Sequence, residues 1–234
     1  MQNNFYFNQV LELLFPRVCV GCNTSGELLC HDCFADLEFV EQICIECGAP
    51  SERGVTHAQC AGKHSASRLF CVCDYRHNLT AKIVTALKYN LIKDLDITCA
   101  QIIFKALIER NALPDEDFVI TFVPMHKTKQ SLRGFNQSQL IAEKLSALLQ
   151  MSVLPMLEKQ RPTKAQMTLD RKERLQNLAG AFTAAQNGNK PVCASKRVLL
   201  VDDVITTGAT LRECAKTLLS AGAGNVQCIA FAKD

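Results

Sequence analysis

The sequence has no tryptophan, and only 6% of its 234 residues are aromatic. A groove that stacks successive nucleobases on rings therefore has few residues to draw on. No run approaches the ~18 apolar residues that suggest a membrane-spanning helix, so no membrane span is expected. The opening "MQNNFYFNQVLELLFPR" lacks a basic leading segment, and Glu12 interrupts its apolar run. It does not read as a secretory signal; residues 5–15 instead suggest a short amphipathic helix ending before Pro16. The Walker pattern G-x-x-x-x-G-K-[ST] is missing too, which removes the commonest nucleotide-triphosphate loop. Net charge is only +3, a balance that neither demands nor excludes a polyanionic partner.

Cysteine, by contrast, is abundant. There are thirteen, nine of them between Cys19 and Cys73. An odd number suits a disulfide framework poorly. Without a secretory signal the expected location is the cytoplasm, where thiols stay reduced and paired cysteines more often hold metal. The pairs are "CVGC" (Cys19, Cys22), "CHDC" (Cys30, Cys33), "CIEC" (Cys44, Cys47) and "HAQC" (His57, Cys60). Each Cys-x-x-Cys turn aims two thiolates at one point, and two turns complete a closed tetrahedral zinc site. One or two structural zinc ions are expected. Spacing alone leaves open whether adjacent pairs share an ion or the sites interleave. Cys71 and Cys73 alternate along a candidate strand, so they are expected to pack on one face.

From about Ser67 the texture changes. "RLFCVCDY", "FVITFV", "VLLV" and "VQCIAFA" read as buried strands. "LTAKIVTALKY", "ITCAQIIFKALIER", "SQLIAEKLSALL" and "ATLRECAKTLLSAGA" read as helices with apolar residues at helical spacing. Strands alternating with helices imply an α/β fold with a mostly parallel sheet and helices on both faces. The expected division is 1–66 for a small cysteine-rich zinc-ribbon domain and 67–234 for the α/β domain.

"VLLVDDVITTGAT" (Val198 to Thr210) concentrates the chemistry. In a parallel sheet, ligands bind beyond the carboxyl ends of the strands. Asp202 and Asp203 stand at such an end and can accept hydrogen bonds from vicinal sugar hydroxyls. Val204 is a further candidate ligand-binding residue, and after it the turn Thr206 to Thr210, with Thr207, Gly208 and Ala209, opens the next helix. Its free N–H groups, the helix dipole and the threonine hydroxyls favour an anion, and Gly208 lets a ligand approach the backbone. A ribose 5-phosphate satisfies both halves.

This stretch resembles the phosphoribosyl-pyrophosphate (PRPP) signature of type I phosphoribosyltransferases. The resemblance implies that the two acids hold the ribose hydroxyls, as catalytic residues if the chain is an enzyme. It also implies that the turn cradles the 5′-phosphate and that Mg²⁺ arrives with PRPP. With the cysteine knuckles, "VPMHKTKQSLRGFNQSQLIA" and "RPTKAQMTLDRKERLQNLAGAF", the whole chain resembles the ComF competence-protein family, including its GntX-like group. One departure is His57, where many members carry a further cysteine.

Two basic segments belong with the signature. Lys127, Lys129, Arg133 and Gly134 follow the strand at Phe118 and resemble by position the pyrophosphate loop of phosphoribosyltransferases. Arg161, Arg171 and Arg174 lie in a stretch of six basic residues and two acids, from Lys159 to Arg174. It could close over PRPP or follow a nucleic-acid backbone. The family resemblance implies a role in natural transformation, handling incoming single-stranded DNA with uptake or helicase machinery. Two other readings stand beside it: an active phosphoribosyltransferase with a nitrogen acceptor, and a PRPP-sensing regulatory or scaffold protein.

Overall fold

The computed structural model describes residues 17–89, 94–162 and 178–234. The helix expected over residues 5–15, together with Arg171 and Arg174, lies outside them.

Four strands form the central sheet: β1 (Arg68–Asp74), β2 (Phe118–Phe122), β7 (Arg197–Ile205) and β8 (Asn225–Lys233). Their order is β1-β8-β7-β2 and every pair is parallel. The strands are apolar almost throughout because both faces are covered. On β7 the two-residue period divides the side chains: Leu199 and Val201 enter one core, Val198 and Leu200 the other.

Helices α2 (Asn78–Lys88), α3 (Leu95–Glu109) and α5 (Gln137–Leu149) supply the first core, where Ile83, Ile103, Ile141 and Leu145 are fully enclosed. Helix α6 (Ala209–Ser220) covers the other face with Leu211, Cys214, Ala215 and Leu218. Asn136 starts α5 by accepting the Ser138 N–H, a side-chain N-cap.

Three short elements surround this frame. Helix α4 (Lys127–Arg133) buries none of its residues. Strand β3 (Leu157–Lys159) pairs antiparallel with β4 (Phe182–Ala184), and β5 (Gln186–Asn187) with β6 (Lys190–Pro191).

The cysteine-rich segment, which includes the short helix α1 (His31–Ala35), packs into this frame. Leu37 joins the first core, and Val40 and Ile45 join the second. The Val40 N–H donates to the Val72 carbonyl, and the buried Gln42 amide bonds both the N–H and the carbonyl of Cys71.

This packing changes one expectation. Cys71 packs with the α6-side core and Cys73 with the other, so the two thiols do not pack together as expected. The register of β1 with β8 runs unbroken through Cys73 and Asp74, and the ribbon residues Leu37 and Phe39, the latter bridged to Cys73, pack in the first core with it. Both thiols are pushed up to about 12 by burial. They behave as packing groups.

Candidate functional site

The eight expected metal ligands gather into two clusters. Cys19, Cys22, Cys30 and Cys33 form one, and Cys44, Cys47, His57 and Cys60 the other; within each, the ligand atoms lie within 4.8 Å of one another. Adjacent pairs therefore converge and the sites do not interleave. Cys22 and Cys30 sulfurs stand 3.6 Å apart, close to the ~3.8 Å edge of a tetrahedron with Zn–S bonds of about 2.3 Å. Gly21 is required inside the first knuckle, since a Cβ there would stand 2.5 Å from the Cys33 sulfur.

The electrostatics of the clusters favour a cation. The Cys22 thiol is lowered to about 6, first by the Thr24 hydroxyl. Burial opposes ionisation of Cys44, yet N–H groups of Cys47, His57 and Glu46 outweigh it and bring the thiol to about 7. Burial and then the Cys47 and Cys44 thiolates raise Cys60 to about 11. Burial and the neighbouring thiolates likewise hold Cys33 far above the ordinary thiol value. Each cluster can thus ionise some of its thiols only at the expense of others. A divalent cation removes that conflict.

His57 has the second-sphere contact expected of a metal ligand. Its Nε2 lies 3.1 Å from the Pro50 carbonyl, which can only accept, so Nε2 carries the proton. Nδ1, 3.5 Å from the Cys47 sulfur, is left with its lone pair toward the cluster.

The second centre lies at the carboxyl end of the sheet. Strand β7 continues through both acids to Ile205. Asp202 is 6% exposed, and its Oδ1 accepts from the Ser138 hydroxyl at 2.9 Å and the Asp203 N–H at 3.0 Å. Burial first, then the neighbouring Asp203 charge, pushes its carboxyl well above the ordinary value. Asp203 is half-buried.

The following turn leads into α6 through Gly208, whose φ of 73° is a left-handed conformation that favours glycine. The Thr207 hydroxyl oxygen is buried, with no hydrogen-bond partner among the described residues.

Cations collect on the same rim. Lys129 of α4 is within electrostatic reach of Asp203, and its ammonium is lowered by desolvation, with Arg133 and Lys88 adding to the effect. Lys159, at the end of β3, is lowered mainly by burial and feels Asp202, Lys129 and Arg161. Crowded cations on a half-desolvated rim weaken one another's charge, and an anion among them relieves the repulsion. Arg133 donates to the Gln137 side chain at 2.8 Å, and exposed Arg161 to the Ala179 carbonyl at 2.9 Å. Lys127 is exposed. Gly134 ends α4 with a positive φ of 86° and has open space where a Cβ would stand, so its role here is a helix cap.

Comparison with known proteins follows the same division. Residues 10–61 match the double zinc ribbon domain and residues 138–234 the phosphoribosyl transferase domain. Competence protein F of Haemophilus influenzae is 29% identical over 246 aligned residues, covering 100% of both chains. DNA utilization protein YhgH of Salmonella typhimurium is 30% identical over 227 residues, covering 92% of this chain and 96% of that protein. The chain belongs to the ComF competence-protein family. Competence protein ComFC of Bacillus subtilis is 33% identical over 109 residues, which cover 47% of this chain and 41% of that one. The ribbon match and the two ligand clusters together point to structural zinc in this ComF-family chain.

Sequence reasoning missed Ser138, which holds Asp202 from 64 positions away. Lys159 opens the basic stretch read from the sequence, and the pairing of β3 with β4 places its ammonium 5.3 Å over the Phe182 ring. Nothing local marks Ser138 as the partner of Asp202. The Asn-x-Ser start of α5 is visible in the sequence, but reads only as a cap.

Proposed function

We propose that this chain is a ComF-type protein of natural transformation whose phosphoribosyltransferase-like domain binds PRPP with Mg²⁺ and which handles incoming single-stranded DNA in the cytoplasm. The observation that carries the ligand is a pairing on one rim. The Asp202–Asp203 carboxylates stand beside a helix-opening turn whose Thr207 hydroxyl is buried with no partner among the described residues. An unmet buried hydroxyl costs ~1–3 kcal/mol, and a phosphate oxygen can accept from it.

In this reading Asp202 and Asp203 receive the ribose hydroxyls. Val204, Thr206, Thr207, Gly208, Ala209 and Thr210 enclose the 5′-phosphate. Lys127, Lys129, Arg133, Lys159 and Arg161 face the pyrophosphate and its Mg²⁺, joined by Arg171 and Arg174. The positive ends of these side chains would also stabilise charge on departing pyrophosphate, were the ribose transferred. The ribbon (1–66) and the phosphoribosyltransferase-like unit (67–234) act as one body. The names of the relatives, competence protein F and DNA utilization protein, support the DNA role. Among the described residues no helix is long and apolar enough to cross a membrane.

The DNA role has a direct test in salt dependence. Each single-strand phosphate contact contributes a slope of about −0.7 to log K against log salt. Replacing Lys127, Lys129 and Arg133 together by alanine is expected to flatten that slope by about 2. Fluorescence anisotropy with a labelled oligonucleotide measures it. PRPP should displace the oligonucleotide, because both use the same rim. An unchanged slope with normal folding would contradict the DNA reading.

A further inference from the structure

The second metal knuckle touches the anion turn. Arg212, on the first turns of α6, places Nη1 2.7 Å from the Ile45 carbonyl and 3.0 Å from the Thr207 carbonyl. Ile45 lies between Cys44 and Cys47 and is 2% exposed. Thr207 belongs to the turn that opens α6. The contact is close: a Cβ added to Gly208 would stand 3.9 Å from the Ile45 oxygen and 3.6 Å from Arg212 Nη1.

The peptide geometry of the knuckle explains the contact. Among the backbone N–H groups that favour the Cys44 thiolate is that of Glu46. That N–H and the Ile45 carbonyl belong to one peptide unit, and no peptide in the described chain is cis. In a trans peptide the two groups point in opposite directions. A thiolate that draws the N–H inward therefore turns the Ile45 oxygen outward, where Arg212 receives it.

Beside this bridge a pocket of about 370 Å³ opens between the ribbon and α6, lined by Glu46, Lys63 and His64 on one side and Glu213 and Lys216 on the other. Ile45 itself packs in one core with Ala209 and Leu211 of α6. Arg212 is therefore the polar link, beside an apolar contact, between the knuckle and the turn.

We propose that Arg212 is a positioning residue that couples occupancy of the second metal site to binding at the phosphate turn. The proposal rests on the reading of that turn as a PRPP site. Metal in the Cys44–Cys47–His57–Cys60 cluster fixes the Ile45 carbonyl, Arg212 transmits its position to Thr207, and the turn is held open for phosphate. Linkage requires the reverse as well: phosphate in the turn strengthens the hold on that metal by the same factor.

The experiment uses the full-length protein loaded with cobalt(II), whose visible absorption separates a four-thiolate site from a three-thiolate–imidazole site. Metal partition against a competing chelator is measured at equilibrium with and without Mg²⁺-PRPP. The expected result is an affinity of the three-thiolate–imidazole site raised about fivefold by PRPP, a coupling at the lower end of the usual range, with the affinity of the four-thiolate site unchanged. In Arg212→Ala the gain disappears and PRPP binds about fivefold more weakly, while both metals remain. The wild-type arm alone decides the matter if that variant does not fold. PRPP binding with no change in metal affinity at the second site would overturn the coupling and leave the ligand reading intact. No PRPP binding to the wild type would overturn both.

Discussion

Cys44→Ser is expected to remove one of two zinc ions per chain and to lower the melting temperature by about 10 °C or more. Cys44 is fully enclosed, and the backbone N–H groups of Cys47, His57 and Glu46 favour its thiolate against burial. Metal binding free energy in such sites is folding free energy. In a chain of this size each lost kcal/mol lowers the midpoint by roughly 2–4 °C, so a loss of ~4 kcal/mol already gives the stated shift. The transition should stay single, because Ile45 and Val40 lie in the same core as α6. Elemental analysis and calorimetry measure both effects. Cys228→Ala, in the core and outside both clusters, should retain two zinc ions. Two zinc ions in Cys44→Ser would contradict the assignment.

Asp202→Asn is expected to separate stability from binding. The Asp202 carboxyl is raised above its ordinary value of 3.8 by burial and by Asp203. Between the unfolded and folded pKa values the native protein holds a proton that the unfolded chain has lost. The wild type therefore loses stability as pH rises through that window and pays no such penalty below it. Asparagine keeps an oxygen for the Ser138 hydroxyl and the Asp203 N–H and does not ionise. The variant should match the wild type near pH 4 and melt at a higher temperature at pH 8. It should also bind PRPP roughly 10- to 100-fold more weakly, because an amide replaces an acceptor worth ~1.5–3 kcal/mol to a hydroxyl. A melting temperature below wild type at every pH would place Asp202 among purely structural groups.

What the sequence reveals depends on how local each signal is. The cysteine knuckles are legible because the spacing that marks them also sets their geometry. Their partnering is not, since only the folded chain brings Cys44–Cys47 to His57–Cys60. The four sheet strands and the helices α2, α3, α5 and α6 carry long apolar periodicity and are read correctly. Helix α4 has no buried residue to create such a period, and β3 to β6 are two or three residues long. The acidic pair is legible as a pair. Its division into a buried, Ser138-held Asp202 and a half-buried Asp203 is not, because that difference is made by α5. Arg212 reads as an ordinary helix cation until the fold sets Ile45 beside it.

The central claim is that the strand-to-helix turn of β7 and α6 is a PRPP site. Calorimetric titration of Mg²⁺-PRPP into the zinc-loaded wild type and into Asp202→Asn/Asp203→Asn tests it most directly. One equivalent bound by the wild type, and none by the double variant at the same concentrations, is the expected result. Equal heats in both proteins, or no binding to the wild type, would contradict it.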